Sequence, residues 1–194
     1  MNRISMRLAA VAATVLLAAC ATTPPPVPPV PPAPFRAGDA PGELIHNDSG
    51  FTFPARIGSF ARFQGHQYDA SGRDISVGYN GDIPSMVTVH VYPAAGLDLD
   101  AALTTQSASV LAAYPGARVT GRRAVQVTPE EVPAVAVSFE FSAAFNGKEQ
   151  PLHSELVLAR CGDRFVKYRI TYPETIADIA GEDSGKFLHY FAWP

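Results

Sequence analysis

The sequence predicts an α+β domain, with a largely antiparallel β-sheet of about six to eight strands packed with two helices. Three observations carry this. From Glu43 onward, short runs alternate apolar and polar residues between Gly, Pro, Asn and Asp breaks, which is the period of strands. Between Leu97 and Tyr114 the period changes to that of a helix. Asn146-Gly147, between two long alternating runs, is a strong two-residue hairpin signal because a type I′ turn needs positive φ at both central positions.

The chain opens on a segment of a different kind. Arg3 and Arg7 precede an apolar run over residues 8–19 that ends at a cysteine, the layout of a secretory signal peptide. That run is well short of the roughly 20 residues needed to span a bilayer as a helix. The junction Leu17-Ala18-Ala19-Cys20 resembles the bacterial lipobox. The resemblance implies cleavage before Cys20, diacylglyceryl transfer to its thiol and a membrane anchor at the new N-terminus. Ala21 differs from the aspartate that commonly retains such proteins at the inner membrane, so the expected location is the periplasmic face of the outer membrane. The inner membrane is the alternative.

Residues 24–34, PPPVPPVPPAP, cannot form helix or sheet at this density of missing amide donors. Polyproline II remains, at about 3.1 Å per residue, giving a semi-rigid stalk. The expected organisation is thus a signal peptide over residues 1–19, a lipidated cysteine and proline-rich linker over 20–42, and one globular domain over 43–194. A domain of roughly 150 residues buries about 68–70% of the surface of its unfolded chain and needs no staples.

Within that domain strands are expected at residues 50–53, 60–68, 75–79, 86–92, 118–127, 132–145, 150–160 and 164–172. In the first helix Leu99, Leu103, Val110 and Leu111 recur at helical spacing, Asp98 stands at the cap position and Pro115-Gly116 ends it. A second helix follows Pro173, carrying Ile176, Ile179, Ala180, Phe187, Tyr190 and Phe191. Gly181 and Gly185 weaken its middle, so one helix and two shorter pieces are both open.

The NG turn sets a register. Pairing Phe145 with Lys148 puts Phe141 opposite Leu152, Val137 opposite Leu156 and Val135 opposite Leu158, on one face. For the next hairpin, a three-residue loop Cys161-Gly162-Asp163 keeps Leu156 and Leu158 beside Tyr168 and Val166, and sets Glu155 opposite Arg169. The other face then gathers Glu140, His153, Glu155, Lys167, Arg169 and Thr171 as a candidate binding surface. Glu140, His153 and Glu155 are ligand types that can hold Zn²⁺. A charge lattice facing solvent or a partner is the expected reading, with no metal and no cofactor.

The opening Gly50-Phe51-Thr52-Phe53-Pro54, the strand at 86–92 leading into a helix, the NG hairpin and the ending Tyr168-Arg169-Ile170-Thr171-Tyr172-Pro173 with its helix resemble the PsbP/DcrB/Mog1-like group of α/β/α sandwiches. The resemblance covers most of residues 43–194 and rests on element order and short motifs. Members of that group serve as assembly factors, small-GTPase binders or envelope lipoproteins, so it implies a role other than catalysis. No binding motif of the group matches residue by residue, and none of its functional residues is carried over.

Cys161 is the one thiol left once Cys20 is lipidated, at a hairpin turn in an oxidising compartment. Arg160 and Arg164 flank it as candidate activators of a free thiol, and no resolving cysteine exists. Gly181 to Lys186, GEDSGK, is a residue short of a phosphate loop, lacks its final Ser/Thr and carries two acids. A net charge of −3 with both signs mixed gives no footprint for nucleic acid. The expected function is a non-enzymatic, lipid-anchored binding or assembly module for a protein or envelope component. Alternatives are an envelope hydrolase or redox enzyme with a site assembled from distant residues, and a small-ligand carrier.

Overall fold

The computed structural model of the chain describes residues 33–194. The signal segment, Cys20 and most of the proline tract lie outside the described residues. Three short strands, β1 (Phe35–Ala37), β2 (Leu44–His46) and β3 (Thr52–Phe53), form a small antiparallel sheet. Eight more follow: β4 (Arg56–Ile57), β5 (Phe60–Gln67), β6 (Ile75–Gly81), β7 (Met86–Pro93), β8 (Arg118–Val127), β9 (Val132–Phe145), β10 (Lys148–Cys161) and β11 (Arg164–Pro173). Helix α1 (Leu99–Ala113) joins β7 to β8, and α2 (Ala177–Tyr190) follows β11 after the 3₁₀ turn Glu174–Ile176. The large sheet runs β4-β5-β6-β7-β11-β10-β9-β8 with every neighbouring pair antiparallel. The fold is α+β, as the period of the sequence predicts.

Local signals explain why these elements form where they do. Asp98 accepts the Ala101 N–H at 2.7 Å and caps α1. Asn146 and Gly147 both take positive φ, 51° and 76°, as a type I′ turn demands. The resulting register pairs Lys148 with Phe145, Leu152 with Phe141, Leu156 with Val137 and Leu158 with Val135, matching the sequence expectation at each pair.

The next hairpin differs. Cys161 pairs directly with Arg164, so the turn holds two residues, Gly162 and Asp163, with Gly162 at φ 58°. Glu155 therefore faces Ile170, and Arg169 faces Leu156. The three-residue expectation assumed one apolar face, which would force Leu156 and Tyr168 onto the same side. Both faces are in fact buried. One carries Val77, Val89, Val157, Tyr168 and Ile170 against Phe187 and Phe191 of α2 and its C-terminal end. The other carries Val137, Phe139, Leu156, Leu158 and Phe165 against Leu103 and Val110 of α1. With an apolar partner on each side, side-chain parity no longer selects the loop length.

One expected boundary shifts, and one open alternative is decided. Phe35–Ala37, within the segment assigned as linker over 20–42, pairs with Leu44–His46, so ordered pairing begins before Glu43. Of the two alternatives for the segment after Pro173, the single helix holds: one 14-residue helix runs through Gly181 and Gly185, and GEDSGK lies inside it. Packing of Ala180, Phe187 and Leu188 onto the sheet overrides the weak propensity of the two glycines.

The small sheet is fastened to the large one by polar contacts. Buried His46 uses both ring nitrogens, Nε2 donating to the Gly72 carbonyl and Nδ1 accepting from the Ser49 hydroxyl, each at 2.6 Å. Asp48 pairs with Arg164 and, at 3.6 Å, with Arg73. Trp193 packs on Phe51 and donates to the Tyr168 hydroxyl at 2.8 Å, closing the C-terminal edge of the core.

Candidate functional site

A helix over a sheet leaves open space where its residues are small. On α2 those residues are Gly181, Ser184 and Gly185, one helical turn apart on one face. Opposite them the sheet presents Ser138 of β9, His153 and Glu155 of β10, and Ile170 and Tyr172 of β11. Between the two lies a cleft of about 290 Å³, with Arg123 of β8 at its margin and Leu188 at its apolar end.

Glu155 is the one carboxylate that lines this cleft. It is only 8% exposed, and a carboxylate this buried needs donors. Arg123 supplies one at 2.6 Å and the Ser138 hydroxyl another at 3.3 Å. The register places both: Ser138 is directly across from Glu155, and Arg123 lies one strand further out on the same face. His153 stacks flat on Tyr172, ring centroids 5.1 Å apart at 13°. Burial pushes the Tyr172 hydroxyl up to about 12, aided by the nearby charges of Glu155 and Glu174, so it is a neutral donor at physiological pH. Ser184 Oγ is buried in the wall and has no hydrogen-bond partner. The cleft thus offers a bound group one carboxylate already shared, one phenol, one imidazole and one spare hydroxyl.

Of the residues expected on one polar face, the structure brings Glu140, His153 and Glu155 to the α2 side, with Glu140 across from His153. They do not converge on a common point. Glu140 is turned to Arg118, Glu155 to Arg123, and His153 to Tyr172. Among the described residues no three His, Cys, Asp or Glu side chains are grouped to hold a metal ion. Lys167, Arg169 and Thr171 are on the opposite face, under α1, as a direct consequence of the two-residue turn. There Thr171 shares a hydrogen bond with Ser154 at 2.7 Å, and Arg169 lies over the rings of Phe139, Phe141 and Tyr114.

Cys161 is a free, half-buried thiol packed against the α2-side core. Burial pushes it up, and this outweighs the opposing pull of Arg164. Arg160, its other expected activator, points to the opposite face and donates to the Gly162 and Leu97 carbonyls. The thiol is held in its neutral form, and packing accounts for its place.

Sequence reasoning missed Arg123 and Ser184. Arg123 sits across from Ala136 in a register set by the turn between Val127 and Val132, which has no Asn-Gly signal and puts positive φ on Thr128 and Glu131. The signal for Ser184 was the small-residue spacing Gly181, Ser184, Gly185, read instead as a helix weakness.

No protein-family model matches the chain, and no curated protein matches it. Among solved structures it is similar to the solution structure of cyanobacterial PsbP (CyanoP) from Synechocystis sp. PCC 6803. That similarity has a TM-score of 0.43 at 12% sequence identity, covering 79% of this chain and 87% of the other.

Proposed function

We propose that this chain is a lipid-anchored envelope protein whose globular domain binds a protein or envelope component through the cleft beneath α2. One observation carries the binding role: a buried hydroxyl without a partner, Ser184 Oγ, lines the same cleft as the buried Glu155. An unsatisfied buried hydroxyl costs about 1–3 kcal/mol, which a ligand group in hydrogen-bond contact offsets. Glu155, already held by Arg123 and Ser138, acts as a fixed acceptor rather than a mobile base.

The lipobox-like Leu17-Ala18-Ala19-Cys20 supports the anchor, and the proline tract behind it supports a stalk. The chemistry of the described residues favours binding over turnover. The one hydroxyl hydrogen-bonded to an imidazole among them, Ser49 to His46, sits in a tight turn whose histidine is fully buried and borders neither the α2 cleft nor the hollow beneath α1.

Two measurements test this. In cells grown with an alkyne fatty acid, wild-type chain is expected to carry the label and Cys20→Ala to lack it; labelling of both discards the anchor. Cross-linking from the tethered chain is expected to recover a partner that Ser184→Val and Glu155→Gln each lose while folding normally. A partner retained equally by both variants, or turnover of a defined substrate by purified protein, rejects the binding role of the cleft.

A further inference from the structure

Beneath α1, two cations of β11 make no ion pair with a described carboxylate. Lys167 and Arg169 are two residues apart on β11, so they point to the same face with their Cα atoms about 7 Å apart. Both border a hollow of about 210 Å³ between α1 and the sheet, walled by His90, Gln106, Tyr114 and Leu156, and no carboxylate borders it.

Arg169 is unusual among the arginines of the described residues. Arg56, Arg73, Arg118, Arg122, Arg123 and Arg164 each pair with a carboxylate. Arg36, Arg62 and Arg160 each donate to a side-chain or main-chain oxygen. Arg169 alone does neither, and its Nη2 is buried without a partner. Three aromatic rings within 5.5–5.9 Å of the guanidinium carbon supply cation–π attraction, but rings fill none of its donor positions. Lys167 Nζ donates once, to Gln106 Oε1 at 2.7 Å, and makes no ion pair with a described carboxylate. Burial lowers Lys167 to about 8, with the charge of Asp74 opposing and that of Arg169 assisting.

An adjoining hollow of about 180 Å³ shares His90, Gln106 and Lys167 and opens toward Tyr68, Asp74 and Tyr92. The Tyr92 hydroxyl is also buried without a partner. Asp74 is the single acid on this path and borders only this outer hollow. A half-buried cation with an empty fork and a second cation on the same face are the parts of an oxyanion site; the Tyr92 phenol and Asp74 both lie outside it, on the adjoining hollow.

We propose that the groove between α1 and the sheet binds a small oxyanion, a carboxylate or phosphate group, with Arg169 as the forked donor and Lys167 as the second charge. The hollow is smaller than the roughly 300–1,000 Å³ of drug-sized sites, which suits a ligand of few atoms. This site is on the opposite face from the α2 cleft and does not rest on it.

The test uses the full chain solubilised in detergent micelles, with inorganic phosphate and succinate as probes against sodium chloride at matched ionic strength. Unfolding temperature is expected to rise saturably with at least one probe beyond the chloride control, and calorimetry is expected to give one site per chain. Loss of a charge-assisted contact corresponds to a drop of about tenfold or more in affinity, so Lys167→Gln and Arg169→Met are each expected to weaken binding by that much. Arg169→Lys, which keeps the charge but loses the fork, is expected to fall between. Response to phosphate alone identifies a phosphoryl ligand, and to succinate alone a carboxylate. The proposal is overturned if neither probe exceeds chloride, or if Lys167→Gln binds as tightly as wild type. The lysine variant keeps the test decisive should Arg169→Met fail to fold.

Discussion

Filling the small-residue face of α2 separates helix stability from cleft function. Gly181 and Gly185 lie in the helix interior with neither at positive φ. A Cβ on Gly185 meets nothing within 4 Å, and one on Gly181 comes 3.4 Å from the Tyr172 hydroxyl, an ordinary contact. Each Gly→Ala change therefore gains helix propensity of about 0.8–1.0 kcal/mol with no clash to offset it. For a domain of this size, 1 kcal/mol moves the unfolding temperature by about 2–4 °C, so the double variant is expected to gain about 4–8 °C. Urea unfolding should show a higher midpoint at unchanged slope. The added methyl groups narrow the α2 cleft, so partner capture should weaken as stability rises. A loss of stability in Gly185→Ala would refute the reasoning, because it requires that position to be closely packed.

The hydrogen-ion dependence of stability should be visible below neutrality. Burial, helped by the charges of Lys167 and His66, lowers His90 from 6.5 to about 3, so between those values the unfolded chain binds a proton that the folded chain refuses. Stability is thus full above pH 6.5 and falls with pH, by about 2 kcal/mol from pH 7 to 5, with buried His46 contributing in the same direction. His90→Gln should flatten that slope in urea unfolding, and an unchanged slope rejects the assignment. Gly147→Ala, at φ 76°, should cost about 1–2 kcal/mol by the same assay, whereas Asn146→Gly should be nearly neutral. Cys161 should react with a thiol-specific disulfide reagent more slowly at pH 8 than an unfolded control; equal rates would show an exposed, activated thiol. Ser154→Ala removes a hydroxyl that donates to the Ile170 carbonyl at 2.7 Å or shares a hydrogen with Thr171, and should cost about 1–3 kcal/mol.

What the sequence reveals about this fold is what is decided locally. The Asn146-Gly147 turn, the Asp98 cap and the alternation in β9 and β10 are set by residues within a few positions of each other. The two-residue turn at Gly162-Asp163 is not, because its loop length depends on how many faces of the sheet are covered. Lys167 and Arg169 read as solvent-facing for the same reason: two cations alternating with Val166, Tyr168 and Ile170 look like an amphipathic strand. Their alkyl stems and the flat guanidinium lie instead beneath α1 among aromatic rings. β1 escapes notice because three residues after a proline tract gain strand character only from pairing with Leu44–His46. Of the candidate surface, the common side of Glu140, His153 and Glu155 is legible, since it follows from the NG register alone. Their separate partners are not, because Arg118 lies beyond the bulge in β8 and Arg123 is placed by a turn, Thr128 to Glu131, with no Asn-Gly signal.

That bulged strand has a further consequence. β8 is the long free edge of the sheet, and most of its residues are exposed. A flat edge of this length presents unpaired amides and carbonyls on which another chain can add a strand. Here Arg118, Arg122 and Arg123 line it, and each is tied inward to an acid on a different element: Glu140 of β9, Asp100 of α1 and Glu155 of β10. An incoming strand would have to align with a kinked ladder beside three positive charges. The arginine that steadies Glu155 in the cleft thereby also helps keep neighbouring copies from fusing edge to edge.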